Sequence, residues 1–298
     1  MNFPIQGVYT AIITPFDADS KIDVSALRKL IDFQIENGVS GIVPCGTTGE
    51  SPTLTHEEHD QVIEITINQV AKRVPIIAGT GSNNTKEAIR LSQHAAEAGA
   101  DALLIVNPYY NKPTQKGLYL HFKAIADSVD IPCVLYNIKG RTGVNLETDT
   151  LVRLADECPN ILAVKEASGD LDQMKDVIKR TKDNFSVLSG DDNIVIDLIE
   201  AGGNGVVSVA SNLLPGDMST MVKTALSGDL DKARQMEARL SDFFSVLFLE
   251  TNPIPIKTAM AAAGICQEVF RLPMCSLTTE EQRTTVIDVI KKLGVDVQ

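Results

Sequence analysis

The sequence predicts an α/β chain folded as a closed (β/α)8 barrel of the TIM type, with a C-terminal three-helix extension. Three observations point there. Short β-branched runs alternate with helical patterns, an order that builds a parallel sheet. Eight such units fit within residues 1–227, which suits a closed barrel better than an open doubly wound sheet. No Gly-x-Gly-x-x-Gly opens the first unit, and Gly79-Thr80-Gly81 lacks the third glycine, so no dinucleotide site is expected.

The first strand is predicted over 7–13 and stops at Thr14-Pro15. Asp23 can cap a helix whose Leu27, Leu30, Ile31 and Ile35 share one face, and Asn37-Gly38 ends it. A second strand at 39–45 leads through the loop GTTGESPTL to Thr55 and Glu58, a capping box for a helix carrying Val62, Ile63, Ile67 and Val70. Strand three spans 75–78. Asn84 and Glu87 repeat the capping pattern for a helix that runs to Ala98 and breaks at Gly99.

Strands four and five follow at 101–106 and 131–136. The sixth is ILAVKEASG, residues 161–169, whose apolar start reads as a strand buried on both faces. Strand seven is 186–189, and strand eight, 205–209, is entered through Gly202-Gly203-Asn204. From about residue 228 the strands stop, and residues 228–298 are expected to form a helical region packed on the barrel. Its first helix covers 230–249, Asn252 and Pro253 read as the cap and first position of the second, and Thr278 with Glu281 as the capping box of the third, which ends at Gly294.

The chain has 298 residues, 44% hydrophobic and 22% charged, and no apolar run nears the roughly 18 residues a membrane helix needs. Residues 1–7 show no basic region before an apolar core, so no leader is expected and the cytoplasm is the default. Five scattered cysteines without a Cys-x-x-Cys pair argue against a disulfide framework or a zinc site. Cys45 and Cys133 lie in apolar runs and are expected to be buried. A net charge of −12 argues against a nucleic-acid partner. An anionic substrate would have to be held by local cations and backbone amides.

In a barrel the chemistry sits at the carboxyl ends of the strands. Those ends carry Gly46-Thr47-Thr48-Gly49-Glu50, Asn107-Pro108-Tyr109-Tyr110-Asn111, Tyr136-Asn137 with Gly140-Arg141-Thr142-Gly143, Lys165, and Gly190-Asp191-Asp192. Lys165 stands where the apolar run gives out, and partial desolvation there favours a neutral, nucleophilic amine. Adjacent threonines between glycines offer hydroxyls and N–H groups to a carboxylate. Tyr136 can act as general acid or base, and Arg141 presents a planar fork to a second carboxylate.

Each has a plainer alternative: a strand ending in solvent, a capped turn, a rim tyrosine, a surface arginine. Asp191-Asp192 reads as an N-cap in preference to a metal pair. His56 and His59 have the wrong spacing for a zinc protease, so no metal is expected. The loop from Ser211 to Gly216 is a poor phosphate cradle.

With these motifs in order, and with Lys165-Glu166-Ala167-Ser168-Gly169 and Ser189-Gly190-Asp191-Asp192 among them, the whole chain resembles the dihydrodipicolinate synthase family. That family belongs to the pyruvate-dependent class I aldolases, as does N-acetylneuraminate lyase. The resemblance implies that Lys165 forms a Schiff base with pyruvate, that Tyr136 shuttles protons, and that Thr47 links Tyr136 to Tyr110 of a neighbouring subunit. It implies that Thr48 holds the pyruvate carboxylate, that Arg141 binds the carboxylate of L-aspartate 4-semialdehyde, and that Gly190 and Val207 line the pyruvate pocket.

The implied product is 4-hydroxy-tetrahydrodipicolinate, the first committed intermediate of lysine and diaminopimelate biosynthesis, made without cofactor or metal by a homotetramer of tight dimers. Ser51, His56, His59, Asn83, Glu87 and Tyr109 match the lysine-binding positions of feedback-inhibited members, so L-lysine is the expected inhibitor. One departure is visible. Ile138-Lys139 stands where the family usually has proline, which frees the backbone that places Arg141. The alternatives are a lyase or aldolase for another 2-oxo acid on the same Lys165 and Tyr136, and a catalytically silent barrel that senses pyruvate or an amino acid.

Overall fold

Short runs that are apolar on both faces bury both by pairing side by side under a layer of helices. In the computed structural model, which describes residues 5–298, they do so as one parallel sheet in the order β2-β1-β8-β7-β6-β5-β4-β3. The strands are β1 (Gly7–Ala11), β2 (Gly41–Val43), β3 (Ile77–Gly79), β4 (Ala102–Val106), β5 (Cys133–Asn137), β6 (Ile161–Glu166), β7 (Ser186–Ser189) and β8 (Gly205–Ser208). The Ile42–Ile76 bridge, with Ile42 N–H donating to Pro75 O at 3.1 Å, joins β2 to β3. This closes the ring, as the sequence predicted. Residues 1–4, part of the stretch read for a leader and of the 1–227 unit, lie outside the described residues.

The helices between strands are α1 (Val24–Glu36), α2 (His56–Val70), α3 (Thr85–Ala98), α4 (Gln115–Ala126), the single turn α5 (Lys139–Thr142), α6 (Thr148–Glu157), α7 (Leu171–Arg180), α8 (Val195–Glu200) and α9 (Pro215–Leu226). Asp23 caps α1, and Thr55 with Glu58 forms the expected capping box of α2. Asn84 caps α3 through Lys86 N–H, but Glu87 turns away to His56 and Ser82, so no reciprocal box forms there. A charge-assisted partner outcompetes a backbone amide.

Strand alternation sets the site. Val134 and Tyr136 of β5, Ala163 of β6, Leu188 of β7 and Val207 of β8 share the inner cluster, while Cys133, Leu135, Val164, Val187 and Val206 face the helices. Tyr136 is paired in register with Lys165, and Asn137 with Glu166. The first pair therefore points into the bore. Cys45 and Cys133 are buried as expected, and burial pushes the Cys133 thiol up to about 12.

After α9 come α10 (Leu230–Val246), α11 (Ile254–Ala262) and α12 (Glu280–Lys292); α10 packs on α8 and α9, and α12 on α10 and α11. The box opening α12 is Thr279 with Gln282, one residue beyond the expected Thr278 and Glu281. Thr278 N–H is taken instead by Glu250. Among the described residues no helix is long and apolar enough to cross a membrane.

Candidate active site

Lys165 is only 5% exposed, and β6 continues beyond it to the fully buried Glu166. Burial thus does not give out at the lysine, contrary to the sequence reading, because the side chain runs inward and is covered there. Its Nζ stands 4.1 Å from the centroid of the Tyr136 ring. A Cβ added to Gly190 would lie 2.4 Å from Ala167 Cβ and 3.1 Å from Lys165 Cε, so glycine is what lets β7 close against the lysine. Val207 is buried on the same inner face.

Thr47 and Arg141 line one cavity with Tyr136, about 410 Å³ in volume. No hydrogen bond joins Thr47 to Tyr136 in this chain, and Tyr110 is 88% exposed with a positive φ of 73°. The structure therefore gathers Lys165, Tyr136, Thr47 and Arg141 but leaves Tyr110 pointing out of its own barrel. Thr48, the residue after Thr47, is buried and does not line that cavity.

The threonine loop is pinned by contacts the sequence reading did not foresee. Glu50, fully buried and in the left-handed region at φ 51°, accepts from Lys257 Nζ at 2.5 Å. The same Nζ donates to Val269 O at 2.7 Å and lies over the rings of Phe16 and Phe270. Burial presses the Lys257 pKa down, and the Glu50 charge opposes that. Arg271 holds Glu58 through two bonds of 2.6 and 2.7 Å.

Asn252 does not cap α11; its Nδ2 donates to Thr48 Oγ1 at 3.0 Å, and its main-chain O accepts from Arg141 at 3.2 Å. A lysine inside the apolar run from Ile254 to Met260 was the visible signal for Lys257. Asn252 left only a cap-like dipeptide.

A second scaffold stands behind Arg141 and Lys165. Asn137 Nδ2 donates to both Glu166 oxygens at 3.1 Å, and its Oδ1 accepts from Asn107 at 2.8 Å and from Leu146 N–H at 2.9 Å. Glu166 also accepts from Ser168 N–H and Gln173. Burial pushes the Glu166 carboxyl up, against these donors.

The acidic pair splits. Asp192 accepts from Val209 and Ala210 N–H at 3.0 and 2.9 Å, bracing the turn after β8 and not capping its own helix. Asp191 is pushed up by burial, opposed by the charges of Lys165 and Arg141. Among the described residues no cluster of three or more His, Cys, Asp or Glu could hold a metal ion.

The same cavity extends past Gly46 to Ser51, His56, His59, Glu87 and Tyr109. His56 Nε2 lies 2.7 Å from Glu87 Oε1, and Asn83 Nδ2 donates to Tyr109 O at 3.1 Å. His59 is buried against Gly79 O at 2.9 Å, and burial lowers its pKa. Glu87 is held below the usual carboxylate range by Ser82 first and His56 next. Five of the six residues thus line the cavity that Tyr136 and Arg141 also line, and Asn83 is tied to it through the Tyr109 carbonyl.

The profile of the Dihydrodipicolinate synthetase family matches residues 4–293. The chain belongs to that family. This family member is 55% identical over 290 residues to the 4-hydroxy-tetrahydrodipicolinate synthase of Syntrophus aciditrophicus, covering 97% of this chain and 99% of that one. The crystal structure of dihydrodipicolinate synthase from Aquifex aeolicus superposes with a TM-score of 0.97 at 47% identity, over 98% of this chain and 99% of that one. The chloride-inhibited Acinetobacter baumannii enzyme, complexed with pyruvate, gives 0.95 at 45% identity, over 98% and 100%. The dihydrodipicolinate synthetase family member described here is an enzyme of the lyase type.

Proposed function

We propose that the protein condenses pyruvate with L-aspartate 4-semialdehyde to 4-hydroxy-tetrahydrodipicolinate through a Schiff base on Lys165. The observation that carries this is a buried lysine beside a tyrosine, 4.1 Å from Nζ to ring centroid, with Arg141 on the same cavity as the tyrosine. Lys165 Nζ attacks the pyruvate ketone, and loss of water leaves a cationic imine. The imine draws electrons from the methyl carbon, which gives up a proton and becomes an enamine. Tyr136 takes and returns protons, with Thr47 and Tyr110 of a neighbouring subunit extending the hydroxyl chain.

The enamine carbon bonds to the aldehyde, and the substrate amine displaces Lys165 as the ring closes. Thr48 holds the pyruvate carboxylate, Arg141 the semialdehyde carboxylate, and Gly190 and Val207 shape the pyruvate pocket. No cofactor enters these steps. Exposed Tyr110 supports a shared site, and so a homotetramer of tight dimers. Five free cysteines suit a reducing compartment, the cytoplasm.

L-lysine is the proposed inhibitor at the Ser51, His56, His59, Asn83, Glu87, Tyr109 end of the cavity, Glu87 pairing with its α-ammonium and Asn83 with its carboxylate. Support comes from a Cyanidioschyzon merolae relative solved with lysine bound, 38% identical with a TM-score of 0.96.

Borohydride trapping with pyruvate, followed by peptide mapping, is expected to place the adduct on Lys165, and Lys165→Ala is expected to abolish both adduct and turnover. Condensation measured with and without millimolar L-lysine tests the regulation; unchanged turnover refutes it. An adduct without turnover would assign another aldehyde, and no adduct would leave a sensing barrel.

A further inference from the structure

Thr48 and Arg141 come from different loops, and a single residue of the C-terminal region touches both. Asn252 is 5% exposed; its side-chain amide donates to Thr48 Oγ1 at 3.0 Å while its main-chain carbonyl accepts from the Arg141 guanidinium at 3.2 Å. Neither Thr48 Oγ1 nor that guanidinium makes another hydrogen bond among the described residues. We propose that Asn252 is a positioning residue that ties the Thr48 hydroxyl and the Arg141 guanidinium to one peptide and sets the direction of the Thr48 hydroxyl. This rests on the reading that these two groups hold the substrate carboxylates.

A hydroxyl carries one proton and two lone pairs. With the Asn252 amide on a lone pair, the Thr48 proton is left for a second acceptor, and an anion is the acceptor that gains most from it. Asn252 therefore makes Thr48 a donor. On the other side, Ile138-Lys139 leaves the Arg141 turn without the stiffness of a proline. The Asn252 carbonyl supplies the fixed point that the turn lacks. Asn252 is itself anchored, because α11 begins two residues later and is locked to the threonine loop by Lys257 and Glu50.

The test compares Asn252→Ala, Asn252→Asp, Thr48→Val and the double variant Thr48→Val/Asn252→Ala. The readouts are the pyruvate concentration for half-maximal borohydride trapping, kcat, and the melting temperature. Asn252→Ala is expected to raise the half-trapping concentration about tenfold, the loss of one hydrogen bond at a charged ligand, with kcat changed much less. In the Thr48→Val background the same change is expected to add less than about twofold, since residues acting as a unit are not additive.

Asn252→Asp keeps the shape and packing but accepts the Thr48 proton, so it is expected to weaken pyruvate at least as much while melting normally. It decides the matter should the alanine variant fold poorly. An unchanged half-trapping concentration in both Asn252 variants overturns the inference, as does a full tenfold effect without Thr48. Failure of the unmutated protein to trap pyruvate overturns the parent reading and this inference with it; normal trapping there with unaltered variants overturns this inference alone.

Discussion

Two polar scaffolds hold the mouth of the barrel, and they are built on opposite principles. Behind Lys165 and Arg141, Glu166 is met by Asn137, Ser168 and Gln173, all within 36 residues of one another in sequence by the span 137–173. Under the threonine loop, Glu50 accepts from Lys257, 207 residues away, at 2.5 Å and, more weakly, from the Arg271 main-chain N–H at 3.3 Å. The neutral donors share their load, so that no one of them leaves a bare charge when removed. The Glu50 charge is met by one cation, in an ion pair between two fully buried groups. The same rim is redundant on one side and brittle on the other.

The largest expected effect breaks the brittle side. Lys257→Met strands the Glu50 carboxylate and is expected to cost about 3–5 kcal/mol of stability in urea denaturation. Adding Glu50→Gln removes the stranded charge and is expected to restore more than half of that loss. Equal stability of the single and double variants would deny the pair its role.

These partners mark the limit of what the sequence discloses. Strand runs, barrel closure, the caps at Asp23 and Thr55, and the gathering of Tyr136, Lys165, Thr47 and Arg141 were legible because they follow from period, local hydrogen bonding and strand ends. Asn252, Asp192 and Glu87 looked like local capping groups and proved to bond elsewhere: to Thr48, to the turn after β8, and to His56 with Ser82. A cap motif states that a side chain can reach the adjacent amides. It carries no trace of a better partner delivered by the fold. The turn α5 escaped notice because Lys139–Thr142 is too short to show a period.

Acid acts on a third place, away from both scaffolds. His121 is buried with Nδ1 at 2.9 Å from Thr85 Oγ1 and Nε2 without a partner among the described residues, and burial lowers its pKa from 6.5 to about 4. Between those values the unfolded chain binds the proton and the folded one does not, so stability falls as pH falls through that window. The expected loss is about 3 kcal/mol by pH 4. His121→Gln is expected to flatten this part of the stability profile; an unaltered slope would refute the assignment.

The smallest expected effect falls on the redundant side. Glu166→Gln turns an amide N–H toward donors that need an acceptor, yet one oxygen remains, so about 1–3 kcal/mol is expected. Burial raises the Glu166 carboxyl, so its contribution is present in acid and fades as pH rises through the interval between the ordinary and the raised value. The glutamine variant is expected to lack that dependence in equilibrium melts, and a loss as large as that of Lys257→Met would erase the contrast between the two scaffolds.

The reach of these bonds along the chain has a consequence for biosynthesis. Thr48, Glu50 and Glu58 wait for Asn252, Lys257 and Arg271, more than 200 residues downstream. On a ribosome the eight strands emerge first, and the threonine loop stays unbraced until residues 252–271 have been made. A chain that stops before Asn252 carries every barrel strand yet leaves the threonine loop without these partners.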